Sequence, residues 1–224
     1  MADRTLYNFI RGSTKDKLLK MSLTYCKHGH TMLSHPKCFI EEEQENIGFL
    51  DIETTALDAN FGHMVTWCIL GSATGKIVGD GIKRDEIFSG DSDMRITESL
   101  VAEMQKYSRL VTWYGARFDI PFIRTRALFW NIDFPKYKQL VHTDAYDIAK
   151  RKLKLHSNRL ESVCEFLKIP AKGHRLTPSL LRDSRIGKEY ALKDIMEHNK
   201  EDVISLRDVW GRLNEFTHLN KTSI

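Results

Sequence analysis

Cysteine and proline are scarce in this chain of 224 residues, with four of the first and five of the second. Four cysteines cannot staple a chain of this length, so a disulfide scaffold is excluded. Cys68 falls in an apolar run and Cys164 on an apolar helix face, and both read as reduced core residues. Five prolines leave no proline-rich linker, and no repeat or low-complexity stretch divides the chain. Long apolar runs are missing too. The best, Met64–Leu70, is interrupted by Thr66 and falls far short of the roughly 18 residues of a membrane helix. The opening Met1-Ala2-Asp3-Arg4 lacks the apolar core of a secretion signal, which predicts a chain kept in the cytoplasm with no membrane partner. What is present is ordinary globular composition, 42% apolar and 29% charged. It excludes a disordered chain, a coiled coil and a collagen-like repeat.

The net charge of +4 is mild but unevenly spread. From Lys150 to Lys188, eleven Lys/Arg face only Glu161, Glu165 and Asp183, a net +8 in 39 residues. Residues 47–149 are acidic by comparison, with fourteen Asp/Glu against eleven Lys/Arg. Acids in the middle and bases to one side suit a phosphate-bearing partner, a nucleic acid.

Residues 1–46 are polar, rich in Lys and His, and close on Glu41-Glu42-Glu43-Gln44-Glu45; they read as an N-terminal extension. The domain proper is expected over 47–214, followed by a tail at 215–224. Ile47–Ile52, Met64–Leu70 and Lys76–Ile82 are expected as three strands of an antiparallel meander. A helix capped by Thr97, a strand at Leu110–Tyr114, a helix at Ile120–Trp130 and a strand at Gln139–Thr143 follow. Helices at about 144–154, 158–168, 178–184 and 188–214 complete the chain. The pattern predicts an α/β fold, a mixed five-stranded sheet flanked by helices.

Four acids stand out. Asp51 and Glu53 end the first strand; two residues apart, they project to one face with Cα atoms roughly 6.5–7 Å apart. Adjacent carboxylates repel unless a cation lies between them. Asp119 follows the fourth strand and opens a helix, where on its own it reads as an N-cap. The last helix carries Leu192, Ile195, Met196, Asn199, Val203, Leu206, Trp210 and Leu213 at helical spacing, and Asp202 falls inside that stripe. A carboxylate on a packing face needs a cation or several donors to offset its desolvation. His198 lies four residues earlier, on the same side. As a set, these acids fit a site for two divalent ions roughly 3.5–4 Å apart, and oxygen ligands select Mg²⁺ or Mn²⁺.

In this order the segments resemble the DEDD (DnaQ-like) 3′–5′ exonucleases of the ribonuclease H-like fold. "FLDIETTAL" is similar to the first motif, "LVTWYGARFDIPFI" to the second and "HNKEDVISL" to the third. The nearest branch is the YprB-like group, akin to the proofreading domain of family B polymerases. The resemblance implies metal ligation by Asp51, Glu53, Asp119 and Asp202, a single-stranded DNA substrate with a free 3′ end, and His198 orienting or deprotonating water. It also implies that Thr54 and Thr55 approach the terminal nucleotide. Two positions depart from the pattern. Tyr114 stands where the second motif usually has Asn, and His198 is four before Asp202, a spacing usually filled by Tyr. The alternatives on the same fold are a structure-selective endonuclease and an inactive binding module.

Three further expectations concern the surroundings. Lys150, Arg151, Lys152 and Lys154 are expected to track the phosphate backbone. Phe118, Phe122 and Phe129 sit at core spacing, within a segment rich in aromatic residues that can stack on unpaired bases. In the extension, Cys26, His28 or His30, His35 and Cys38 offer a mixed tetrahedral set for one structural zinc ion, with His30 the preferred choice.

Overall fold

The computed structural model describes residues 22–25, 29–31, 34, 46–90, 92–136, 139–170 and 173–217. The chain divides into a compact unit, Asn46–Asn214, and a second unit of residues 1–45 and 215–224. In the second unit Tyr25 and Thr31 pair in a single antiparallel bridge.

Asn46–Asn214 is built on five strands: β1 (Ile47–Thr54), β2 (Met64–Gly71), β3 (Ile77–Gly81), β4 (Arg109–Thr112) and β5 (Val141–Asp144). Their order is β3-β2-β1-β4-β5. The first three form the expected meander, antiparallel throughout, while β4 and β5 run parallel to β1. Helices α1 (Arg84–Phe88) and α2 (Met94–Met104) connect β3 to β4, and α3 (Asp119–Phe129) connects β4 to β5. After β5 come α4 (Ala145–Lys152), α5 (Leu160–Leu167), α6 (Pro178–Arg185) and α7 (Glu189–Leu213).

The sheet has a core on each face. Leu50 and Ile52 of β1 face a cluster with Ile96, Leu100 and Met104 of α2 and Ile123 of α3. Phe49 faces the opposite cluster, with Ala149 of α4, Cys164 of α5 and Val203, Leu206 and Val209 of α7. The two-residue period of β1 therefore puts Asp51 and Glu53 on the α7 side of the sheet.

Two local expectations are corrected. The second helix begins at Met94, three residues before Thr97, which is fully buried inside it. Asp93 occupies the cap position but does not cap. Its carboxylate instead accepts from Met64 N at 2.8 Å, from Arg126 Nε and Nη2 at 2.8 and 2.6 Å, and from Trp130 Nε1 at 2.7 Å. Phe129 is not a core residue either. It ends α3 65% exposed, packed edge-on against Trp130 with Arg126 over its ring, while Phe122 is buried and Phe118 partly so.

The Asp93–Arg126 pair is fully desolvated on the acid side and nearly so on the base. Breaking such a pair leaves a buried charge. Arg126→Met is expected to cost about 3–5 kcal/mol in urea unfolding, and Asp93→Leu/Arg126→Met together less than the two separate losses added. Additive losses would show that the two side chains act independently.

Candidate active site

The pairing of β1 with β4 stops at Phe49–Val111, because β4 ends two residues before Tyr114 turns into the left-handed region at φ 66°. Beyond that point the β1 edge is open, and the Ile52 amide would be an orphan donor. Asp119 fills the gap: its Oδ1 accepts from Ile52 N at 3.2 Å. The loop between β4 and α3 is drawn tight to bring it there. Gly115 lies so close to Thr112 that a Cβ would meet Thr112 Oγ1 at 2.3 Å, so only glycine fits. Asp119 is 3% exposed. Burial, and next the Asp51 carboxylate, hold its carboxyl well above the usual carboxylate range.

The third side of the site comes from α7. Its buried stripe includes Ile195, Asn199, Asp202, Val203 and Leu206. Asn199 Nδ2 donates to Asp51 Oδ2 at 2.9 Å. His198 Nε2 lies 3.1 Å from Asp202 Oδ2 and 3.6 Å from Glu53 Oε1. One ligand atom each from Glu53, His198 and Asp202 lies within 4.8 Å of the others. The opposite ring nitrogen, His198 Nδ1, is 2.6 Å from the His174 carbonyl. A carbonyl only accepts, so Nδ1 carries a proton; Nε2 faces carboxylate oxygens that also only accept, a contact that needs either a second proton on the ring or a cation between them. His174 is itself held by Glu201, which accepts from its amide at 3.0 Å and meets its ring Nδ1 at 2.9 Å.

The structure thus brings Asp51, Glu53, Asp119, Asp202 and His198 to one end of β1. The four carboxylates are hard oxygen donors, the chemistry that fits Mg²⁺ or Mn²⁺, with the His198 imidazole beside them. The carboxyl of Asp119 is raised first by burial and then by the Asp51 carboxylate, and a cation placed between the two acids would offset both effects.

Of the other expected residues, Thr54 ends β1 next to Glu53 and Thr55 follows it. Thr54 donates its hydroxyl to Ala56 O at 2.8 Å, and Thr55 Oγ1, largely buried, accepts from His63 N at 3.0 Å. Both hydroxyls brace the β1–β2 loop. Lys150, Arg151 and Lys152 form the last turn of α4, with Lys154 just beyond; Lys152 is half-buried and the other three are exposed. Of Cys26, His30, His35 and Cys38, only His30 lies among the described residues, so the zinc cluster falls outside them.

Two residues of the site have no local signature in the sequence. Asn199 reads as one more position on the helix stripe, yet it binds Asp51. Asp144 reads as a residue favouring a helix N-terminus. It does cap α4, accepting from Tyr146 N at 3.1 Å, but it also accepts from Tyr114 N at 2.9 Å and Ala116 N at 3.0 Å. It therefore clamps the loop that delivers Asp119.

Comparison with known proteins agrees with this fold. The family model of the RNase H superfamily matches residues 48–214. YprB of Bacillus subtilis (strain 168), an uncharacterized protein, is 25% identical over 198 residues, covering 84% of this chain. The chain spans 45% of the length of that relative. The family B DNA polymerase of the hyperthermophilic archaeon Pyrobaculum calidifontis superimposes with a TM-score of 0.63 at 16% identity, over 76% of this chain and 24% of the polymerase. At that identity the likeness is one of fold. No helix among the described residues is long and apolar enough to cross a membrane.

Proposed function

The chain belongs to the RNase H superfamily, a nuclease fold, and from that premise we propose that it is a cytoplasmic, metal-dependent 3′–5′ exonuclease acting on single-stranded DNA. The observation that supports this reading best is the meeting of Glu53, His198 and Asp202 within 4.8 Å, with Asp119 anchored on the amide of Ile52, which lies between Asp51 and Glu53 in the chain, and Asp51 held by Asn199 of the helix that carries His198 and Asp202. Asp51, Glu53, Asp119 and Asp202 would hold two Mg²⁺ or Mn²⁺ ions. Bound there, such ions supply Lewis-acid polarisation of the phosphoryl oxygens and neutralise developing charge. His198, with its proton fixed on Nδ1 by the His174 carbonyl, presents Nε2 to take a proton from the attacking water. Asn199 holds Asp51 in place, and the Asp144 clamp fixes the approach of Asp119.

The test is digestion of end-labelled single-stranded DNA, duplex DNA and RNA with Mg²⁺, Mn²⁺ or a chelator. Stepwise shortening of single-stranded DNA from the 3′ end, abolished by chelator, is expected. Internal cuts would replace the reading with an endonuclease, and gel shifts without cleavage with a binding module.

Lys150, Arg151, Lys152 and Lys154 belong to this reading as the phosphate track. Neutralising all four is expected to flatten the slope of log affinity against log salt, by up to about 0.7 for each single-strand phosphate that the side chains no longer neutralise. An unchanged slope would move the track elsewhere. A structural zinc ion on Cys26, His30, His35 and Cys38 is a separate part of the reading, and zinc-free protein purified without chelators would remove it.

A further inference from the structure

Between the β4–α3 loop and the α4–α5 loop lies an open pocket of about 380 Å³ lined by Trp113, Tyr114, Tyr146, Asn158, Arg159 and Leu160. None of the four acids lines it. Its volume falls at the lower end of the range of small-molecule sites, roughly 300–1,000 Å³. We propose that it holds an unpaired base of the substrate strand, 5′ to the nucleotide being cleaved. The proposal rests on the exonuclease reading and adds a second point of contact to it.

The rings are arranged to receive a partner. Tyr146 meets Tyr114 edge-on, centroids 4.9 Å apart at 80°, and Trp113 edge-on at 6.1 Å and 90°. Edge-on packing, unlike a face-to-face stack, does not bury both faces of each ring against its neighbour, and Arg117 and Lys150 cover part of what remains. Tyr114 is 43% exposed. An exposed aromatic on a fixed backbone is a stacking platform, since every base offers a π-face.

Positive charge surrounds the rings. The Arg117 guanidinium lies 5.4 Å from the Tyr114 centroid and 5.9 Å from that of Tyr146, while two acids offset its charge, Asp147 at 2.9 Å and Asp144 at 3.7 Å, so among the described residues the unopposed cations at the rings are Lys150 and Arg159. Lys150 Nζ lies 5.8 Å from the Tyr146 centroid. Arg159, exposed on the wall, makes no ion pair among the described residues. Aromatic faces ringed by cations match an unpaired nucleotide, base and phosphate together.

The pocket is also held in shape. Tyr114 adopts φ 66°, costly for a residue with a side chain, and Asp144 fixes it there through the Tyr114 and Ala116 amides. Trp113 Nε1 donates to the Asn158 carbonyl at 3.1 Å, tying one loop to the other. The Tyr114 carbonyl accepts from Phe118 N at 3.2 Å, immediately before Asp119. One loop therefore links the pocket to the acid that closes the cleavage site.

The test is binding of 5′-fluorescein-labelled 12-mers of mixed sequence, DNA and RNA, to the full chain in EDTA, followed by anisotropy. Tyr114→Gly removes the ring and relaxes the backbone, so loss of folding is not expected. It should weaken binding by between about fivefold and about a hundredfold, the range measured for one base–aromatic stack. Tyr114→Phe keeps the ring and should bind within about twofold of wild type, and Arg159→Ala should weaken binding. Unlabelled 12-mer should quench tryptophan emission in the wild type and do so less in Trp113→Phe. Wild-type affinity in Tyr114→Gly, with equal quenching in Trp113→Phe, would overturn the pocket while leaving the exonuclease reading intact. A wild type that neither binds nor cleaves any strand would overturn both.

Discussion

Asp119→Asn is expected to abolish turnover and, at the same time, to raise the melting temperature of the metal-free protein. The first effect follows from the shared site. Bound divalent ions supply several kcal/mol of transition-state stabilisation, and each 1.4 kcal/mol is tenfold in rate, so losing a ligand should cost about 10³-fold or more. Asp51→Asn, Glu53→Gln and Asp202→Asn should do the same. The second effect separates Asp119 from an ordinary structural acid. Its folded carboxyl is held above the usual range by burial and by Asp51. The folded state therefore binds the proton more tightly than the unfolded chain, where Asp titrates near about 3.9. Stability is then lost as pH rises from that unfolded value towards the folded one. At neutral pH this raised carboxyl works against folding in the absence of a cation, and the amide removes that opposition while still accepting from Ile52 N. A domain of this size gains about 2–4 °C for each kcal/mol. Mg²⁺ or Mn²⁺ should raise the melting temperature of the wild type by mass action and leave that of Asp119→Asn nearly unmoved. Calorimetry with and without EDTA at pH 5 and pH 7.5 reads all of this. An Asp119→Asn protein that melts below metal-free wild type, or one that retains near-full turnover, would remove Asp119 from the site.

His198→Ala should lower turnover by about 10²–10⁴, the usual effect of removing a general base. The geometry supports the role, since Nδ1 is committed to the His174 carbonyl and Nε2 alone faces Glu53 and Asp202. His198→Tyr should retain more activity than Ala, because a phenol one helical turn before Asp202 can still orient water. The competing possibility is that Nε2 is itself a metal ligand, as its place among Glu53 and Asp202 permits. Titration with Mn²⁺ separates them. Unchanged metal affinity with reduced turnover in the Ala form supports the base. Weakened metal affinity would make His198 a ligand. Unchanged turnover would leave the four carboxylates to act without it.

The parts of this fold legible in the sequence are those whose signal is local. The alternation of β1 and the stripe of α7 identify both elements, and Asp202 betrays itself by standing where an apolar side chain would pack. Asp51 and Glu53 share a face because strands have a period of two. What stayed hidden depends on partners far along the chain. The helix starts at Met94, behind Asp93, a cap-type residue as eligible in the sequence as Thr97; what spacing could not show is that the Asp93 carboxylate turns to Arg126, 33 residues on, instead of capping. Helix α1 has five residues and buries none of them, so it leaves no apolar pattern; it is held instead by Arg95, which meets Glu86 at 2.5 Å. Asn199 and Asp144 act across 148 and 30 residues of sequence, distances at which spacing carries no information.

Helix α7 has a consequence for the protein as it is made. It is the last long element of its unit, it supplies Asp202, His198 and Asn199, and Val203, Leu206, Val209 and Leu213 complete one of the two cores. A chain still emerging from the ribosome carries Asp51, Glu53 and Asp119 long before it carries their partners. Until α7 docks, that nascent chain lacks Asp202, His198 and Asn199 together with one side of its interior, so the residues of the candidate site and the second core assemble in the same step.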